Sequence, residues 1–209
     1  MNITRPGLLS RYRSYLIAAT VLFVVGILLG ITLSIYYPEL IQQAVTQIEE
    51  QLRRLGQDVF QSKFSQGVWI LFLHNLRALG LIAVLGLLLG IYPVFAMLFN
   101  GLIIGVVGVM SMQTTTIAGF LAGIVPHGIL EIPAILLGAS LGLRLGIAPL
   151  FSRKKSPFAT PKPNAWQGYR RELAAGLRLL VLCTALLFLA AIIEVGITPH
   201  IMALFTPGT

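Results

Sequence analysis

His127 and Glu131 stand four residues apart in a chain that is otherwise poor in ionisable groups. At that spacing on a helix, an imidazole and a carboxylate share one face and sit where a proton could pass between them. Pro126, Gly128 and Pro133 flank them. The other polar side chains inside long apolar runs are His74, Asn75, Arg77 and Asn100. Ionisable and amide groups are costly in an apolar interior, so each is a candidate for function as well as for packing.

These residues allow three chemistries. Arg77 with Glu131 would neutralise two charges that are expensive to bury singly, making a clamp between helices. The same cluster would also serve as a polar pocket for a solute. The third chemistry is acid–base hydrolysis by His127 and Glu131. That reading is the weakest, because no activated nucleophile accompanies them and the sequence contains no phosphate-binding glycine loop, HExxH or GxSxG. No catalytic residue is assigned, and the protein is not expected to be an enzyme. One histidine, one glutamate and an uncertain second histidine are too few ligands for a metal, so neither metal nor cofactor is expected.

The elements that must position these groups are membrane helices. Of 209 residues, 56% are hydrophobic and 11% charged, against roughly 25% charged in soluble domains. The apolar residues come in blocks of about 20, enough to cross a hydrocarbon layer of roughly 30 Å. The expected fold is all-α: a polytopic transmembrane bundle forming one membrane domain over residues 1–209. Spans are expected at about 15–37, 67–89, 93–112, 129–147 and 172–195. Between the first two, Ile41, Ala44, Val45, Ile48, Leu52, Leu55 and Val59 recur at three- and four-residue steps with charges between them. This predicts an external amphipathic helix over 39–64. Residues 117–125 are too few to cross, and Pro126-His127-Gly128 follows them, which predicts a half-helix or re-entrant piece before the fourth span. Such a break would have to be buried in protein or line a polar cavity.

Glycines four apart mark close helix packing: Gly26 and Gly30 on the first span, Gly138, Gly142 and Gly146 on the fourth. The second set fits a helix of the same chain or a homo-oligomer contact equally well. Cys183 is a lone cysteine within an apolar span and reads as a packing residue. Arg144 and Glu194, near span ends, are expected to reach headgroups.

The net charge is +8, and its distribution speaks against nucleic acid as a partner. Arg5, Arg11 and Arg13 precede the first span, and Arg153, Lys154, Lys155, Lys162, Arg170 and Arg171 fall in a basic loop over 148–171. That is the pattern of cytoplasmic flanks. Five crossings put both clusters on the cytoplasmic side and the C-terminus outside, whereas six would misplace one cluster. The cytoplasmic membrane and its lipids are therefore the expected surroundings. The first apolar run is longer than a secretory signal core and lacks a cleavage site, so it reads as an uncleaved span.

Four segments together resemble the stage II sporulation protein M family of integral membrane proteins: Asn75-Leu76-Arg77; Asn100-Gly101; Pro126-His127-Gly128-Ile129-Leu130-Glu131-Ile132-Pro133; and Gly142-Leu143-Arg144-Leu145-Gly146. The resemblance covers roughly residues 15–200, and the PHGxxExP segment is its most specific part. It implies a multi-pass helical fold. It also implies a role like that of the family's namesake, a membrane anchor that recruits peptidoglycan-remodelling partners during engulfment. No catalytic residues carry over from the family. The leading expectation is a scaffold for membrane or envelope protein partners. The alternative is a transporter or channel component with a polar site at the Pro126–Gly128 break.

Overall fold

A computed structural model describes residues 8–114, 116–152 and 165–205. The described residues form seven helices: α1 (Leu8–Tyr36), α2 (Pro38–Phe60), α3 (Phe64–Leu85), α4 (Ile91–Thr114), α5 (Ile117–Ser152), α6 (Ala165–Gly196) and α7 (Thr198–Ala203). Five of these, α1, α3, α4, α5 and α6, are long and apolar enough to cross a membrane. Their outward faces carry large apolar side chains such as Ile17, Leu28, Leu73, Phe95, Phe99 and Val181. Such a surface is stable in lipid, where the apolar face meets acyl chains and the helical backbone satisfies its own hydrogen bonds. The chain is a multi-pass membrane protein of helices.

Glycine contacts set the helix neighbours. α1 lies along α4, with Gly26 and Gly30 facing Gly101 and Gly105. A Cβ on Gly26 would lie 2.3 Å from the Leu98 carbonyl oxygen, and one on Gly101 would lie 2.1 Å from that of Phe23. Only glycine lets two backbones come that close. Gly138, Gly142 and Gly146 of α5 find their partner within the same chain. Gly138 faces Leu79, Gly142 faces Ile82 and Pro93, and Gly146 faces Gly86 and Gly90. At that contact the chain turns from α3 into α4 through Leu89 (φ 55°) and Gly90 (φ 72°). Both lie in the left-handed region, which glycine adopts readily and leucine does not.

The interior divides into two adjoining clusters. Leu79, Leu141, Leu179, Cys183, Leu187 and Tyr12 form one. Ala19, Ile82, Met97, Ala139 and Leu143 form the other. Cys183 is a free thiol, fully buried in the first. Phe72 meets Trp69 and Phe188 edge to face, and Trp69 is tilted against Phe188, with centroids 5.3–5.9 Å apart.

The amphipathic helix forms as α2. Pro38 occupies its first turn, where a missing N–H costs nothing. Ile41 and Val59 are buried against the ends of α1 and α3, and Gly67 lets α3 approach the Val59 carbonyl. Glu39, Gln42, Gln43, Arg54 and Asp58 are exposed.

The expected break at Pro126–Gly128 is absent: α5 runs unbroken from Ile117 to Ser152, 36 residues. Proline frees one carbonyl, but a chain break inside lipid would strand several backbone groups at a few kcal/mol each, so the helix continues through it. The half-helix 117–125 and the span 129–147 are therefore one element. At 1.5 Å per residue it is about 54 Å long and extends beyond the hydrocarbon layer. α5 and α6 also reach into the expected basic loop. Arg153, Lys154, Lys155 and Lys162 lie outside the described residues, as does Arg5, whereas Arg170 and Arg171 are helical in α6. After α6 a short helix, α7, turns back over the start of α5, where its Met202 faces Gly123.

A membrane cavity lined by His127, Glu131 and Glu194

The unbroken course of α5 decides the site. Because the helix is continuous, His127 and Glu131 lie one turn apart on one face, in the half of the bundle nearer α2. That face borders a cavity of about 450 Å³ among α1, α4, α5 and α6. Its polar lining consists of Asn100, His127, Glu131 and Glu194. The remaining walls are apolar, including Phe23 of α1, Ile104 of α4 and Ile132 of α5.

His127 Nδ1 meets Glu194 Oε2 in an ion-pair contact between α5 and α6. Both side chains are about four-fifths buried, at 18% and 23% exposure. An imidazolium and a carboxylate attract at such a contact, which links the two helices. Glu131 has a different partner: the buried Asn75 side chain of α3 donates a hydrogen bond to its carboxylate. Asn100 lines the cavity from α4, and its Nδ2 donates to the Ala96 carbonyl at 2.7 Å.

The candidate residues thus separate. Asn75, Asn100, His127, Gly128 and Glu131 come together at or against the cavity. His74 and Arg77 do not: both are exposed on α3. On a helix, positions one and two residues from Asn75 point away from its face. The expected Arg77–Glu131 clamp therefore gives way to Asn75–Glu131 and His127–Glu194. Pro126 is half-buried and Pro133 exposed, so the prolines of the PHGxxExP segment border the site without supplying polar groups.

Glu194 was expected at the headgroups and instead faces inward. The signal for it was faint but present. α6 runs antiparallel to α5, so a residue near its last turn shares a leaflet with one near the start of α5. Arg144 is likewise turned in. Its Nη1 donates to the Arg11 carbonyl at 2.8 Å, and its guanidinium lies 5.0 Å from the centroid of the Tyr12 ring. That pairing ties α5 to α1 about 20 Å along the helix from Glu131.

Chemically, the cavity offers carboxylates, an imidazole and amides, with no lysine, arginine, serine, threonine or cysteine in its lining. It suits proton exchange and cation binding, and it disfavours anions. Among the described residues no group of three His, Cys, Asp or Glu side chains is arranged to hold a metal ion.

Comparison with known proteins agrees with the membrane fold. An uncharacterised protein of Methanocaldococcus jannaschii is similar, 29% identical over 132 residues that cover 61% of this chain and 68% of the relative. No solved structure matches. The sequence profile described as "Stage II sporulation protein M" matches residues 19–199, which include every residue lining the cavity, and the chain belongs to that family.

Proposed function

We propose that this protein is a non-enzymatic scaffold of the cytoplasmic membrane, anchoring partners that remodel the membrane or cell envelope. The observation that carries this reading is α2. It is a 23-residue helix outside the spanning set, attached to the bundle near its two ends through Ile41 and Val59 and exposing Glu39, Gln42, Gln43, Arg54 and Asp58. A helix so held costs ordering entropy and contributes nothing to the cavity. It is suited to recognition by a partner at the membrane surface. Anchoring, rather than spore formation itself, is the part of the namesake's role that this geometry favours.

The basic flanks orient the reading. With the segment before α1 and residues 153–171 in the cytoplasm, α2 and the cavity belong to the outer half. Labelling from either side of sealed membranes checks this: both basic segments react from the cytoplasmic face. Reaction of the two from opposite faces contradicts the orientation.

A photo-crosslinking residue at Gln42 or Asp58 tests the scaffold role in native membranes. A discrete envelope protein is expected on the crosslink, lost when the polar face of α2 is replaced. Recovery of the chain alone, with replacement of 39–60 harmless, overturns the reading.

A second reading, solute transport, is favoured by the polar cavity. Proteoliposome flux that disappears in Glu131→Gln supports it, and no flux above that variant's baseline ends it.

A further inference from the structure

The cavity poses a charge problem that its described residues leave open. His127 and Glu194 face each other across the cavity, and paired as imidazolium and carboxylate they add no net charge. Glu131 receives the Asn75 amide, which lowers the cost of its charge without cancelling it. The elements around Glu131 add no further cation to the lining. α4 contributes Asn100, α1 contributes Phe23, and α6 contributes Glu194. On α3, Arg77 and His74 are exposed, as is His200 of α7. An uncompensated buried carboxylate is strongly disfavoured. Two states remain: Glu131 protonated with the cavity empty of charge, or Glu131 ionised with a cation beside it.

The shape of the cavity selects the cation. About 450 Å³ far exceeds the roughly 30 Å³ share of a water molecule and falls within the roughly 300–1,000 Å³ typical of small-molecule sites. A bare inorganic cation needs a shell of oxygen ligands. Most of these walls are isoleucine, valine, leucine and phenylalanine, which supply none. They would instead bury an organic body. We propose that this cavity binds a compact organic ammonium ion of single positive charge, its cationic centre beside Glu131 and its apolar groups against Phe23, Ile104 and Ile132. One proton leaves Glu131 as one cation enters, so the buried charge stays constant. This deepens the transport reading by naming the class of solute. It does not require movement across the membrane, because binding at equilibrium suffices.

The test is calorimetric titration of tetraethylammonium into the full chain in lipid nanodiscs, repeated in two buffers of different ionisation enthalpy to count protons. That ion carries no titratable proton, so any proton released comes from the protein. Saturable binding at one site with release of one proton is expected. Glu131→Gln should weaken binding by about tenfold or more and abolish the release. Ile104→Trp, which fills the cavity without touching a charge, should weaken binding comparably. It also decides the matter if the Glu131 variant does not fold. Absence of saturable binding overturns the proposal, as does equal binding to Ile104→Trp. Displacement by equimolar sodium overturns it too, because it assigns the site to an inorganic ion. Since this readout is binding and the transport readout is flux, either can fail while the other stands.

Discussion

The Asn75 amide donates to the Glu131 carboxylate, joining the middle of α3 to the face of α5 that borders the cavity. Asn75 is the buried member of a trio whose other two polar residues, His74 and Arg77, are exposed. Removing the amide leaves the carboxylate buried without its donor. Asn75→Ala should therefore destabilise the protein by about 1–3 kcal/mol, measured by unfolding in mixed detergent micelles. His74→Ala and Arg77→Ala should stay within about 0.5 kcal/mol. A larger loss for Arg77→Ala than for Asn75→Ala would restore the ion-pair clamp.

The α1–α4 seam predicts a sharp contrast among glycines. A Cβ on Gly101 or Gly105 would come within 2.1–2.3 Å of a backbone carbonyl of α1. Gly101→Ala and Gly105→Ala should each separate the two helices and cost roughly 2–4 kcal/mol, in the range of severe overpacking. Gly80 has open space around it. Gly80→Ala should be neutral or stabilising, by up to about 1 kcal/mol. Equal effects at the three positions would refute the close approach.

The α3–α4 turn makes a prediction about backbone conformation. Gly90 combines φ of +72° with an Ile147 side-chain carbon 3.0 Å from where its Cβ would be. Gly90→Ala should cost about 1–2 kcal/mol from the left-handed conformation, plus whatever Ile147 must yield. Repeating the substitution in an Ile147→Ala background, against the Ile147→Ala single variant, separates the two, since removal of the Cγ1 and Cδ1 atoms relieves only the steric part. No loss in either background would argue against the left-handed turn.

Much of this architecture can be read from composition and spacing, for physical reasons. Apolar blocks of span length have few stable alternatives to membrane helices. The three- and four-residue stepping from Ile41 to Val59 likewise admits little except an amphipathic helix. The four-residue glycine spacing locates the seams, but a seam needs two sides. Gly26 and Gly30 say that a neighbour comes close, and only the folded chain pairs them with Gly101 and Gly105. Pro126 misleads because the rule that proline breaks helices comes from water, where the freed groups find solvent. In lipid the cheaper outcome is a continuous helix. That continuity turns His127 toward Glu194, 67 positions further on, a pairing that local spacing cannot report. His74, Asn75 and Arg77 look alike as a polar trio, yet helix geometry allows only one of the three to face α5.

His127 and Glu194 meet across α5 and α6 beside the cavity, and the site stands on that contact. A double-mutant cycle with His127→Leu and Glu194→Leu, read as unfolding free energy in detergent micelles, tests that contact most directly. Each single change strands its partner and should cost about 3–5 kcal/mol, whereas the double change should cost clearly less than their sum. The expected coupling is about 1.5 kcal/mol or more. Additive losses, with no coupling between the two positions, would contradict the pairing and the cavity built around it.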